Sequence, residues 1–204
     1  MVGDAHTATA EPPRPDVRPD GRRPSRGGRA TLVVLGVMLV VVLGGYVVAA
    51  ALAEPAGSPV DVGGVVSVRP LSGWALAGRD TLGGNPFVRL TRGSGSLDIV
   101  VKVPYSGSAE RLATEYVDQV LSRQLDQLSV SRQFEPVRLA SGLQAVRFGY
   151  VGVVAETGTS VEGEVTAAVT PTAHGVVFDG WGPEGLLSFV RSDIETMIQR
   201  AVLA

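Results

Sequence analysis

Val161-Glu162-Gly163-Glu164-Val165-Thr166-Ala167-Ala168-Val169-Thr170 sets the pattern for the folded part of this chain. Val161, Val165, Ala167 and Val169 fall on one side of an extended backbone and Glu162, Glu164, Thr166 and Thr170 on the other, the period of two of a half-buried strand. Turn residues bracket it at Glu156 to Thr159 and at Pro171 to Gly175. Further strands are expected on both sides. Upstream, Val146, Phe148 and Tyr150 alternate through Gln144 to Val153, and a short run covers Pro136 to Leu139. Downstream, Val176 to Asp179 forms another.

Nearer the amino end, Leu97, Ile99, Val101 and Val103 alternate with Asp98, Val100 and Lys102, again a strand signature. Gly93-Ser94-Gly95-Ser96 joins that strand to Phe87–Arg92 as a hairpin, and Val65 to Arg69 reads as an earlier strand. Between the two groups of strands, Ser108 offers an N-cap. Leu112, Tyr116, Val117, Val120, Leu121 and Leu128 then recur at helical spacing, with Glu110, Asp118 and Arg123 mostly opposite, for a helix of about 17 to 20 residues. A second helix closes the sequence, with Pro183 in its first turn and a stripe of Leu186, Leu187, Val190, Ile194, Met197, Ile198 and Val202. The expected fold class is α+β: an antiparallel sheet whose apolar face two helices cover, an α/β/α sandwich.

Before this domain lies Thr31 to Ala53, which holds no charged residue. At ~1.5 Å per residue it reaches about 34 Å, enough to cross a bilayer core of ~30 Å. Arg14, Arg18, Arg22, Arg23, Arg26 and Arg29 precede it, and the first basic residue after it is Arg69. Short basic flanks stay in the cytoplasm, so the expected topology is amino terminus inside and domain outside. Ala51-Leu52-Ala53 also has the small-x-small form of a signal-peptide cleavage site, although the apolar run exceeds the usual ~7 to 15 residues. The expected division is therefore a disordered Arg/Pro-rich cytoplasmic tail over 1–30, a transmembrane helix over 31–53, a linker over 54–64 and an extracytoplasmic domain over 65–204.

The composition narrows the chemistry. There is no cysteine, which removes disulfides, thiol nucleophiles and cysteine metal sites. Residues 55 to 204 carry a small excess of acids, and phosphate neutralisation needs clustered positive charge, so a nucleic-acid partner is not expected.

Arg69-Pro70-Leu71-Ser72-Gly73-Trp74, the hairpin, the single mid-domain helix, Ala145-Val146-Arg147-Phe148-Gly149-Tyr150 and the final strand, loop and helix together resemble the PsbP-like α/β/α sandwich family over about residues 60–203. The resemblance implies a non-enzymatic accessory or adaptor role, as in an extrinsic photosystem II subunit, a nuclear import factor and many exported bacterial proteins. It brings no catalytic signature and no partner-binding residues that match this chain.

Candidate sites are few. Gly180-Trp181-Gly182-Pro183-Glu184-Gly185 has the form G-x-G-x-x-G, but no parallel strand and ribose-binding acid follow at the needed distance, so a glycine-rich turn is expected. His174 sits in a turn with no G-x-S-x-G elbow, and no H-x-x-x-H pair or calcium loop is present, so no catalytic, cofactor or metal site is expected. Glu162 and Glu164 share one face of a strand, which more often marks a wet face than a glycosidase pair. Trp74, Trp181 and Tyr105 lie beside expected loops. Trp74 reads as a core plug, whereas Trp181, with Asp179 beside it, and Tyr105 are the candidate partner or ligand contacts. The expected function is a membrane-anchored, non-catalytic binding or accessory module that serves an envelope protein partner. The alternative is a signal-cleaved, secreted ligand-binding protein with a pocket near Trp181.

Overall fold

The computed structural model describes residues 57–204. The expected cytoplasmic tail, the membrane helix over 31–53 and the cleavage motif all lie outside the described residues. Among the described residues no helix is long and apolar enough to cross a membrane.

Among the described residues, eleven strands form two antiparallel sheets. The smaller joins β1 (Val60–Val62), β2 (Val66–Val68) and β11 (Val202–Leu203) in the order β1-β2-β11. The larger runs β3 (Ala75–Leu82), β4 (Asn85–Arg92), β5 (Gly95–Lys102), β10 (Gly175–Pro183), β9 (Ser160–Val169), β8 (Gln144–Val154) and β6 (Leu125–Val130), with β7 (Glu135–Arg138) also paired to β8. The first segment corrects one boundary. Val60 and Val62, expected in the linker, are buried in a strand because alternate valines close the edge of the core.

Turn chemistry builds the β3-β4-β5 meander. Gly83 and Gly84 both adopt positive φ, the tight two-residue turn that only glycine makes without strain. The next turn is also two residues, Gly93 and Ser94, with Gly95 already paired to Arg92. The four-residue loop expected there is therefore too long by two, because Gly93 alone supplies the positive φ that such a turn needs. Strand β3 has no counterpart in the sequence reading, since its residues are mostly exposed and carry no alternating apolar pattern.

Ser108 caps helix α1 (Ala109–Tyr116) by accepting a hydrogen bond from the Arg111 backbone N–H. The helix widens to a π segment over Val117–Leu121 and ends in one turn, Ser122–Gln124. The wider turn puts residues five apart on one face, and Tyr116 and Leu121 both reach the core. Leu125 to Val130 then forms β6, so Leu128 belongs to a strand and not to the helix stripe. Helix α2 is Arg191–Gln199, preceded by a short 3-10 turn at Leu187–Phe189. Pro183 does not start it: that proline ends β10 opposite Val161. Val202, expected on the helix stripe, is exposed in β11.

The two helices cover opposite faces of the large sheet, not one. Leu112 and Tyr116 of α1 pack with Val100, Val165 and Val177. Ile194 and Met197 of α2 pack with Ile99, Val176 and Phe178, together with the valines of the small sheet. Central strands must then be apolar on both sides, which explains why β5 is buried from Gly95 to Val101. Each fully buried large side chain contributes roughly 1.5–3 kcal/mol. The fold is thus the α/β/α sandwich, with its site on the α1 side.

Candidate functional site

On the α1 side the middle of the sheet is polar. Arg89 of β4 stands opposite Asp98 of β5, and Asp98 stands opposite Asp179 of β10, so three charged residues form one row across three strands. Asp98 and Asp179 are 5% and 3% exposed. Buried carboxylates persist only when their oxygens are satisfied, and each is. Arg89 donates from Nε to Asp98 Oδ1 and from Nη2 to Oδ2, both at 2.7 Å. Trp181 Nε1 donates to the same Oδ2 at 3.1 Å. Tyr116 and Tyr150 donate their hydroxyls to Asp179 Oδ2 and Oδ1 at 2.9 and 3.0 Å.

Tyr150 reaches Asp179 across a glycine. Its partner in β9 is Gly163, where a Cβ would come within 2.3 Å of the tyrosine Cζ, so the bare Cα lets the ring lie along the sheet.

The electrostatics follow from this burial. Asp179 is pushed up to about 7, by desolvation first and then by the charge of Asp98, while the two tyrosine hydrogen bonds and Arg89 act the other way. Tyr116 and Tyr150 are raised well above the usual tyrosine range, by burial and by the charge of Asp179, and so remain donors. Arg89 is raised as well, chiefly by its hydrogen bond to Asp98.

A cavity of ≈ 320 Å³ opens onto this network. Leu121, Leu125, Val154 and Val161 form its apolar wall, and Arg123, Gln124 and Glu156 stand among its polar lining. The Arg89 guanidinium carbon lies 5.3 Å from the centre of the Trp181 ring and 5.5 Å from that of Phe87, cation–π distances that hold it in place. A larger cavity of ≈ 480 Å³ is lined by Leu112, Glu115 and Tyr116 of α1 together with Lys102. Its lysine is already committed, however, since Lys102 Nζ lies 2.6 Å from Glu115, which Arg111 also contacts.

Of the three sequence candidates, Trp181 and Asp179 meet in this site and Tyr105 does not. Tyr105 is 7% exposed, and its ring lies 5.3 Å from Lys102 Nζ in a different part of the α1 face. Trp74 is a core residue, and its Nε1 donates to Asp193 Oδ2 at 3.0 Å. His174 contacts Thr172 and Thr170 around its own turn and has no hydrogen bond to an acid among the described residues. Glu162 accepts hydrogen bonds from the Gly185 and Leu187 N–H groups, and Glu164 pairs with Arg147, so these two acids hold a loop and a strand instead of facing each other across a cleft. The glycine-rich motif turns only at its end: Gly180 to Pro183 continues β10, a Cβ at Gly180 would meet Ile194 at 2.8 Å, and the turn falls at Glu184 and Gly185, where Gly185 adopts a positive φ. Among the described residues no group of three His, Cys, Asp or Glu side chains is placed to hold a metal ion.

Arg89, Asp98, Tyr116 and Tyr150 were not among the sequence candidates. The signal was an acid inside the apolar run from Leu97 to Val101, together with the hairpin register. A two-residue turn at Gly93-Ser94 sets Arg89 against Asp98, whereas a four-residue loop sets it against Val100.

The layer order and strand order define a PsbP-like fold. The solution structure of cyanobacterial PsbP, CyanoP from Synechocystis, is similar at a TM-score of 0.53 and 13% identity, covering 74% of this chain and 95% of that one. LpqN of Mycobacterium tuberculosis, described as involved in cell envelope biogenesis, aligns at 0.49 and 10% identity over 74% of this chain and 86% of its own. A Pseudomonas aeruginosa protein of unknown function, a putative regulator by its description, aligns at 0.46 and 10% identity over 72% and 97%. No family model and no curated relative matches the chain.

Proposed function

We propose that this chain is a single-pass, membrane-anchored binding module that serves the cell envelope and catalyses no reaction. Thr31 to Ala53 crosses the membrane, the arginine-rich segment before it stays in the cytoplasm, and the α/β/α domain stands outside. The domain holds its ligand, or a protruding segment of an envelope partner, in the cavity beside Trp181. The observation that carries this reading is the fixed guanidinium of Arg89 in the lining of a cavity of ≈ 320 Å³ that sets an apolar wall of Leu121, Leu125, Val154 and Val161 against a polar one. A binding role also suits the two acids, since every oxygen of Asp98 and Asp179 already accepts a hydrogen bond.

Site-specific photo-crosslinking tests it. A photoreactive residue at Glu156, in the cavity lining, is compared with one at Glu195 on α2, in the full-length chain in native membranes. Adducts from position 156 and none from 195 support the reading. Equal labelling from both positions, or none from either, overturns it. The same preparation tests the anchor: an intact chain in the membrane fraction is expected. A soluble chain beginning at Glu54 favours the secreted, signal-cleaved reading that Ala51-Leu52-Ala53 suggests.

A further inference from the structure

The Arg89–Asp98 pair leaves half of a guanidinium unused. A guanidinium has two edges able to grip a planar oxyanion, and Asp98 occupies only the one formed by Nε and Nη2. Nη1 has no hydrogen bond to any described residue, and the Arg89 side chain remains 39% exposed. This second edge is held in position on one side by the ion pair and on its faces by Phe87 and Trp181. Fixing a donor pair in advance lowers the entropy that binding must overcome. Arg123 adds a second cation to the lining of the same cavity.

We infer that the cavity binds a carboxylate carried on a short apolar stem, with the carboxylate on the Nη1/Nη2 edge of Arg89 and the stem against Leu121, Leu125, Val154 and Val161. The inference rests on the reading of this cavity as the binding site. Asp98 opposes it only in part, since Arg89 offsets much of its charge. Glu156 is the one other acid lining the cavity besides Asp98 and Asp179, and Arg123 lines the same cavity. Asp179 is buried and protonates more readily than an ordinary aspartate, which lessens its repulsion of an incoming anion. Two sources share this chemistry: a free small carboxylic acid and the carboxyl terminus of a peptide.

The chain has two tryptophans, and they report separately. Trp181 lines the cavity, whereas Trp74 lies in the core on the α2 side. The full-length chain labelled with 5-fluorotryptophan, in detergent micelles, is titrated with butyrate, butylammonium and 1-butanol while the two fluorine resonances are followed. Butyrate is expected to shift the Trp181 resonance saturably and leave Trp74 in place, with at least tenfold weaker effects from the other two. Arg89→Lys, which keeps the charge and loses the fork, is expected to weaken butyrate about tenfold or more, and Arg123→Gln by a smaller factor. An unmoved Trp74 resonance certifies that each variant is folded.

An acetylated Ala-Leu dipeptide separates the sources. Tighter binding than butyrate, lost on amidation, identifies a peptide terminus, and binding no tighter than butyrate identifies a small acid; both support the inference. Equal shifts from all three butyl probes overturn it while leaving the cavity as an apolar binding site. No shift from any probe also overturns it, and crosslinking at position 156 then decides independently whether the cavity binds anything else.

Discussion

Asp98 and Asp179 occupy directly opposed positions on the two central strands of the sheet, both buried, and differ in their partners. One is gripped by a guanidinium and an indole N–H, the other by two tyrosine hydroxyls. Two like charges so placed are unfavourable unless one is neutralised, and the cation lies on the side of Asp98. Asp179 is thus the member of the pair that protonates near neutrality.

Stability should therefore fall as pH rises. The folded pKa of Asp179, about 7, lies above its ordinary value of 3.8, so between those values the folded state holds a proton that the unfolded state has released. Its contribution is largest at low pH and is lost on passing through 7. From pH 5 to 8 the expected loss is about 2 to 3 kcal/mol in urea unfolding. Glu110 and Glu115 are shifted downward and affect only the range below about 4.5, with the opposite sign. Asp179→Asn should flatten the curve between pH 5 and 8, and an unchanged slope in that variant would refute the assignment.

Gly163→Ala should destabilise the domain by about 2 to 4 kcal/mol, because the new methyl group would overlap the Tyr150 ring and break its hydrogen bond to Asp179. In a Tyr150→Ala background the same substitution should cost much less. Equal costs in both backgrounds would mean that Tyr150 is not what requires the glycine.

Removing one partner of the buried pair should cost more than removing both. Arg89→Met leaves Asp98 buried without its cation, with an expected loss of about 3 kcal/mol, moderated because the guanidinium is 39% exposed. The double variant Arg89→Met/Asp98→Leu should regain most of that stability and lose ligand binding. A double variant no more stable than Arg89→Met would argue against a paired charge.

Glu162→Ala should act locally on the far face of the sheet. The Gly185 and Leu187 amides lose their acceptor, so hydrogen exchange there should accelerate, with a global cost of about 1 kcal/mol. Trp181 fluorescence should stay as it is. A changed Trp181 signal would place Glu162 in the site.

The elements that a sequence reveals are those whose periodicity reports one dominant environment. Strand β9, strand β8, helix α1 with its Ser108 cap and the carboxyl-terminal helix are of that kind. Strand β3 was hidden because its faces are mostly wet, and β6 because Leu125 and Leu128 also satisfy a helical spacing. Gly180 to Gly182 imitates a turn, yet those glycines serve close packing: Ile194 lies over one and the Ser94 backbone near the other. The site was half legible. Trp181 and Asp179 are local neighbours, but Arg89, Asp98, Tyr116 and Tyr150 join them through register and long-range pairing, which no local pattern encodes. Tyr105 looked like a contact residue and is instead buried beneath Lys102.

Strand β10 is the last member of the large sheet to be synthesised, and it takes a place in the middle, between β5 and β9. Trp181 and Asp98, which it unites, are 83 positions apart. Until β10 docks, β5 is an open edge carrying Leu97, Ile99 and Val101, each of which ends completely buried. A nascent chain therefore emerges with its most adhesive strand unpaired and must wait for distant sequence to arrive, the circumstance in which strands associate wrongly and chaperones act. The same insertion completes the contacts among Arg89, Asp98 and Trp181. The proposed binding site is thus complete only once the closing strand is in place, and a ligand held there would distinguish finished molecules from those still folding.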